Sequence, residues 1–179
     1  MARILKTAAI GLGVVIAAIL IFAATRPSAF HVERSASIQA PPEKIFPLIA
    51  DFQAWDSWSP WAKKDPAMKR EFGGEAGAVG STYAWDGNSE VGKGRMTIAD
   101  LAPPSKLVFD LHFEKPMEGR NISTFMLEPQ GEATTVTWTM DGKMNYIAKV
   151  ITMFCNMDAM IGADFEKGLA GMKAEAEKS

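Results

Sequence analysis

An uncharged apolar run from Thr7 to Thr25 constrains this chain more than any other feature. Arg3 and Lys6 precede it, and Arg26 closes it. Crossing a hydrocarbon core about 30 Å thick takes about 20 apolar residues at about 1.5 Å each, which the run supplies. A secretory signal has a shorter apolar core, about 7–15 residues, followed by a small-x-small cleavage site. Here the exit reads Phe22-Ala23-Ala24-Thr25-Arg26-Pro27-Ser28-Ala29, with no clean Ala-x-Ala. Residues 1–26 are therefore expected to be an N-terminal transmembrane anchor (or uncleaved signal), in preference to a cleaved one. Gly11 and Gly13 are spaced too closely for the small-residue motif that pairs membrane helices. Arg3 and Lys6 on the short side of the run favour an N-in, C-out orientation. In a bacterium this describes a single-pass inner-membrane protein, attached through residues 7–25, whose soluble domain is periplasmic.

Residues 27–30 are a short Pro/Ser linker, and residues 31–177 remain for one domain with one substantial core. All acidic residues and all but three of the Lys/Arg lie after residue 26. The domain is thus mildly acidic and carries no basic cluster, which argues against nucleic acid as a partner. Cys155 is the only cysteine, so no intramolecular disulfide or cysteine-based metal site is expected. Its neighbours Phe154 and Met157 favour a small buried hydrophobe over a reactive thiol. His31 and His112 fit no metal-ligand spacing and read as surface or sheet-edge residues. Neither a metal nor a cofactor is expected. No nucleophile-elbow, phosphate-loop or dinucleotide-binding glycine pattern occurs.

Alternation predicts a first strand over His31–Gln39. Pro41-Pro42-Glu43 then starts a helix whose apolar face is Ile45, Phe46, Leu48 and Ile49. The tryptophan-dense segment Trp55–Trp61 suits a second short helix ending before Pro60. Strands follow over Lys69–Phe72, Gly80–Trp85 and Gly92–Leu101, with a hairpin turn at Asp86-Gly87-Asn88. Lys106–Phe113 alternates with Leu107, Phe109, Leu111 and Phe113 on one face. Asn121–Glu128 is the next strand, and a turn follows at Pro129-Gln130-Gly131. In Thr134–Met140, Val136, Trp138 and Met140 share a face. From Ile147 to Met172, apolar residues recur at spacings of three or four and predict one long C-terminal helix. Gly162, Gly168 and Gly171 in that helix permit close approach to a sheet or leave room beneath it.

Strand, two short helices, a run of antiparallel strands and a long final helix give an α+β layer arrangement. Three stretches stand out: Ile38-Gln39-Ala40-Pro41-Pro42-Glu43-Lys44-Ile45-Phe46-Pro47-Leu48-Ile49-Ala50-Asp51-Phe52, then Trp55–Trp61 with Asp65-Pro66-Ala67-Met68, and the Gly80–Trp85 strand. With the closing Asp164-Phe165-Glu166-Lys167-Gly168-Leu169, these stretches resemble the START-like, or SRPBCC, superfamily of helix-grip proteins. That superfamily includes polyketide cyclases, plant pathogenesis-related proteins and lipid-transfer domains. More narrowly the chain looks like its bacterial polyketide cyclase/dehydrase-like group. The resemblance spans roughly residues 30–177. It implies a helix-grip fold: a curved antiparallel β-sheet around a long C-terminal α-helix, here preceded by one transmembrane helix. It implies no shared catalytic residues.

The expected function is a membrane-tethered domain that binds a hydrophobic or amphipathic small molecule, lipid- or polyketide-like, between the sheet and the C-terminal helix. The candidate lining is Trp85, Phe109, Phe113, Met126, Trp138, Met140, Met153 and Met157, with Met160 beside them; taken alone each of these more simply packs a solid core, and it is the resemblance that favours a cavity. A second reading is a polyketide cyclase/dehydrase-like enzyme. For it, Asp86, Glu90, Arg95, Asp110 and Tyr83 are the titratable groups nearest the expected cavity mouth, though no carboxylate pair or nucleophile–base pair stands out. A third is a co-chaperone-like interaction module with Trp55, Trp58 and Trp61 as an exposed docking surface. Against it, indoles are costly to expose, and plugging one end of the core explains them better. The sequence names no protein partner.

Overall fold

The computed structural model describes residues 2–178, the side chains of 2–5 and 8 excepted. The apolar run forms α1 (Ala2–Thr25), on which Ile10, Leu12, Val14 and Ile21 are exposed. Among the described residues no helix is long and apolar enough to cross a membrane. The described side chains of α1 run unbroken only from residue 9 to residue 25. The expected span is therefore carried by the sequence and not by the described structure.

β1 (Ala29–Ile38) begins two residues earlier than expected and takes in Ala29 and Phe30 of the expected linker, because both pair with β7; α2 (Pro42–Ala50) follows. Pro41 occupies the N-cap of α2 and Pro42 its first turn, where a missing amide costs no hydrogen bond. A 3-10 turn (Phe52–Ala54) leads into α3 (Trp55–Trp58) and α4 (Pro60–Lys64). Where one short helix is expected, there are two, because Pro60 ends α3 and also starts α4, its fixed φ suiting a first turn.

Six strands follow: β2 (Lys69–Gly73), β3 (Thr82–Asp86), β4 (Lys93–Ala102), β5 (Lys106–Lys115), β6 (Gly119–Gln130) and β7 (Ala133–Lys143). With β1 they form one seven-stranded antiparallel sheet in the order β1-β7-β6-β5-β4-β3-β2. Alternation puts Val32, Met96, Ile98, Phe109, Phe125, Leu127, Val136 and Trp138 on the buried inner face. The β6–β7 reversal falls at Gly131, whose φ of 67° is the left-handed conformation that glycine adopts without strain.

One long helix is expected after the sheet, but the chain makes α5 (Tyr146–Ile151) and α6 (Met157–Ala176). The break has a local cause. Asn145 and Asn156 are both N-caps, their side chains accepting hydrogen bonds from the amides of Ala148 and Ala159. The turn between the helices takes Ile147, Ile151 and Phe154 out of register with the core stripe and leaves them exposed. Cys155, expected to be buried, is exposed in that turn.

α6 crosses the inner face of the sheet. Phe165, Leu169 and Met172 are fully or nearly fully buried beneath it. Close approach is possible because a Cβ on Gly168 would stand 2.7 Å from the Trp138 ring, and one on Gly171 would stand 2.5 Å from the Trp58 carbonyl oxygen. Arg34, on the inner face of β1, locks the start of α6. Its Nε donates to Glu166 at 2.8 Å and its Nη2 to Asp158 at 3.1 Å. That hydrogen bond holds the Asp158 carboxyl below its ordinary pKa. Lys64 on α4 pairs with Asp164 on α6 at 2.5 Å. This is an α+β helix-grip architecture.

Candidate functional site

A cavity of about 80 Å³ lies between the inner face of β3–β7 and the segment Trp55–Ala62. Its wall is almost wholly apolar: Trp55, Trp61, Met68, Trp85, Val91, Met96, Phe109, Leu111, Phe113, Trp138 and Met140 contribute to it. Typical small-molecule pockets run to about 300–1,000 Å³, so this one is a narrow slot in an aromatic core. Three of the wall groups, Met68, Met96 and Met140, are flexible thioethers that can yield to an incoming chain or ring.

The aromatic side chains are held in place by their polar ends. Trp55 and Trp58 donate their indole N–H groups to the carbonyls of Ile49 and Leu48, at 2.9 and 2.7 Å. Trp85 donates to the Val91 carbonyl at 3.1 Å, and Trp138 to Ser123 Oγ at 2.9 Å. Ser123 in turn donates its hydroxyl hydrogen bond to the Thr139 carbonyl. These four indoles thus enter the apolar core without an unpaired donor, which would otherwise cost about 1–3 kcal/mol.

Polar atoms reach the cavity at Asp56, Ser59, Tyr83 and Ser123. Burial raises the Tyr83 pKa, while the Arg70 guanidinium beside it pulls the other way. Tyr83 therefore stays a neutral phenol, able to donate to a ligand oxygen. Arg70 pairs with Asp56 at 3.4 Å across the cavity edge, and its Nε is buried without a hydrogen-bond partner.

Of the eight residues expected to line a cavity, Trp85, Phe109, Phe113, Trp138 and Met140 surround this one. Met126 does not: in the β6 register it is paired with Thr137 on the outer face, and Phe125 points inward instead. Met153 and Met157 lie in a separate surface groove of about 620 Å³ with Arg26, Phe30 and Phe154, and Met160 is exposed. The break before α6 displaces all three methionines from the inner face. The cavity consequently sits between the sheet and the tryptophan segment, and α6 contributes no residue to its wall.

The polar candidates also divide. Tyr83 reaches the cavity, whereas Arg95 and Asp110 line an outer-face groove of about 640 Å³. Asp86 is exposed and within 3.6 Å of Lys93, and Glu90 is exposed in the β3–β4 loop. Trp55 and Trp58 are buried and Trp61 is half-buried, so they form no exposed docking surface. Met68, Val91 and Met96 were not anticipated. The inward parity of β4 carries a signal for Met96, but Met68 and Val91 lie in loops where no periodicity marks them.

Register fixes which end of the sheet holds the cavity. Phe113 pairs with Gly94 and Gly119, Asn121 with Gly142, and Lys143 with Ala29. Phe113, Met140 and Trp85 therefore lie near the end where β1 begins and α1 joins the domain.

Curved sheet, gripping helix and an apolar inner cavity define a helix-grip domain. The sequence profile described as polyketide cyclase / dehydrase and lipid transport matches residues 29–177, and the chain belongs to that family. No curated protein matches it in sequence. Among solved structures it is similar to the Zhui aromatase/cyclase from a Streptomyces species, with 16% identity, a TM-score of 0.61, and 83% of this chain and 94% of that one covered. It is similar also to major latex-like protein 151 from Panax ginseng, at 13% identity and a TM-score of 0.59 over 85% and 100% of the two chains. The Aha1 dimer from Colwellia psychrerythraea gives 19% identity and a TM-score of 0.59 over 83% and 96%. At these identities the likeness is one of fold.

Proposed function

We propose that this domain binds a hydrophobic or amphipathic small molecule, lipid- or polyketide-like, with its apolar part in the cavity beneath Trp55 and Trp61. One observation carries the reading: an apolar slot edged by Tyr83 and by the Asp56–Arg70 pair. An apolar chain entering it gains about 0.8 kcal/mol per buried CH₂, and the small resting volume makes binding an opening of the methionine-lined wall. Four tryptophans line the slot and report on it. Titrating the full chain in detergent micelles with fatty acids, isoprenoid quinones and fused-ring phenols is expected to shift their emission for at least one class. Emission unchanged across the panel overturns the reading.

Catalysis on such a ligand is the second reading, favoured by Tyr83, whose hydroxyl would donate a hydrogen bond to a substrate carbonyl. Conversion of a bound polyketide-like phenol precursor, lost in Tyr83→Phe with binding retained, is its test.

The same reading makes α1 a bilayer tether with the domain on the extracytoplasmic side. Support comes from the length and apolarity of Thr7–Thr25 and from a helix that exposes large apolar side chains all round. A phosphatase fused to the C-terminus is expected to be active, and an inactive fusion reverses the topology.

A further inference from the structure

Outside α1, half of the exposed large apolar side chains among the described residues gather in one short segment, residues 146–160. Ile147 and Ile151 on α5, Phe154 in the following turn and Met160 at the start of α6 are all exposed, Phe154 by 72%. Single exposed apolar residues are ordinary, but a run of them on one element marks a contact surface. What this surface meets follows from how α5 is held. Tyr146, its first residue, donates its hydroxyl to the Leu20 carbonyl of α1 at 2.6 Å. Leu20 lies five residues before the end of α1, about 7.5 Å along the axis at about 1.5 Å per residue. Interfacial helices lie about 5–10 Å into the headgroup and acyl boundary, and tyrosine is enriched at that level.

We propose that α5 and the Phe154 turn form an interfacial wedge that seats the domain on a phospholipid bilayer, cavity end towards the lipid. The proposal rests on the reading of α1 as the tether. The apolar surface is continuous with α1, itself strongly apolar, against which α5 packs. Arg26 shares a groove with Phe154, and Lys143 and Lys149 flank Ile147 in sequence, cations of a kind that reach headgroup phosphates while their stems stay in apolar surroundings. The nearest carboxylate on α6, Asp158, is already neutralised by Arg34. The wedge fixes an orientation that a single helix alone would leave free to swing.

Cys155, the only cysteine, stands beside Phe154 and serves as the probe. The full chain is labelled there with an environment-sensitive fluorophore and reconstituted in phosphatidylcholine vesicles. A Cys155→Ser, Ser37→Cys chain, labelled at the opposite end of β1, is the reference. The expected result is flotation with the vesicles, quenching of the Cys155 label by nitroxide lipids, and several-fold weaker quenching by aqueous iodide than at the reference position. Adding Ile147→Gln and Phe154→Ser is expected to restore iodide access with flotation unchanged. A label at Cys155 as open to iodide as the reference, in protein that still floats, overturns the wedge and leaves the tether standing. Shielding from iodide without quenching by nitroxide lipids means a second copy covers the surface, and also overturns it. Failure to float overturns tether and wedge together.

Discussion

Trp138 lies flat on Phe165, their ring centroids 4.0 Å apart and their planes 6° from parallel. This stack joins the sheet to α6. On the other side of Trp138 lies Phe125, and Trp55, Trp58 and Trp61 meet it edge-on. Phe165→Ala removes the contact and leaves a void under a fully buried position, with an expected loss of about 3–5 kcal/mol. Met160→Ala, on the exposed face of the same helix, is expected to stay within about 0.5 kcal/mol. Denaturant unfolding of the two variants checks the contrast.

Gly171→Ala sets two effects against each other. Alanine improves helix propensity by about 1 kcal/mol, but its Cβ would stand 2.5 Å from the Trp58 carbonyl oxygen. Backbone cannot swing aside as a side chain can, so α6 must lift from α3 at a cost of about 1–3 kcal/mol. The expected sign is destabilising. A higher thermal midpoint for the variant contradicts this packing.

His31 and Asp141 make stability depend on pH. The hydrogen bond that His31 Nδ1 donates to Asp141, at 2.7 Å, is the main cause that raises the His31 pKa, Glu33 adds to it and burial opposes it. A raised histidine pKa means stabilisation that is fully present below the unfolded value of about 6.5 and lost as pH rises through the folded value. Both groups are more than half exposed, so screening limits the effect to about 0.2–1 kcal/mol. The excess stability of the parent over Asp141→Asn is expected at pH ~5 and should vanish by pH ~8. Equal differences at both values contradict the pair.

Ala62 lies on the cavity wall on short α4. A half-exposed position tolerates a large side chain, so Ala62→Trp is expected to fill the slot while the fold persists. Ligand-induced changes in fluorescence should fall at least ten-fold in affinity, about 1.4 kcal/mol, with circular dichroism unchanged. Undiminished affinity in a folded variant places the ligand elsewhere.

Much of the sheet was legible because a strand's period of two sorts residues by face regardless of what packs on them. Leu107, Phe109 and Leu111 are inward for that reason, as are Val136, Trp138 and Met140. Met126 shows the limit: hydrophobicity alone placed it inward, while its parity with Phe125 and Leu127 places it outward. The final helix failed differently. A spacing of three or four continues through residues 152–156 in sequence, yet the Asn156 cap restarts the helix and resets its phase. The cavity itself was only half legible. Its sheet wall follows from alternation, but its other wall depends on Trp61 meeting Trp138 edge-on at 5.8 Å, a contact between residues remote in sequence.

The place of β1 in the sheet has a consequence for synthesis. Its hydrogen-bonding neighbour is β7, Ala29 meeting Lys143, and the backbone N–H of Gln39, just past its end, donates to the Glu177 carboxylate. The first strand made thus waits for the last strand and the last helix before it is satisfied. A growing chain can pair β2 through β6 in sequence as each hairpin emerges, but a ribosome stalled before residue 143 leaves β1 an open edge and Trp138 uncovered. Such edges template misassembly, and contacts this distant in sequence form slowly. For a chain made vectorially, the hazardous interval lasts until residue 177 has emerged.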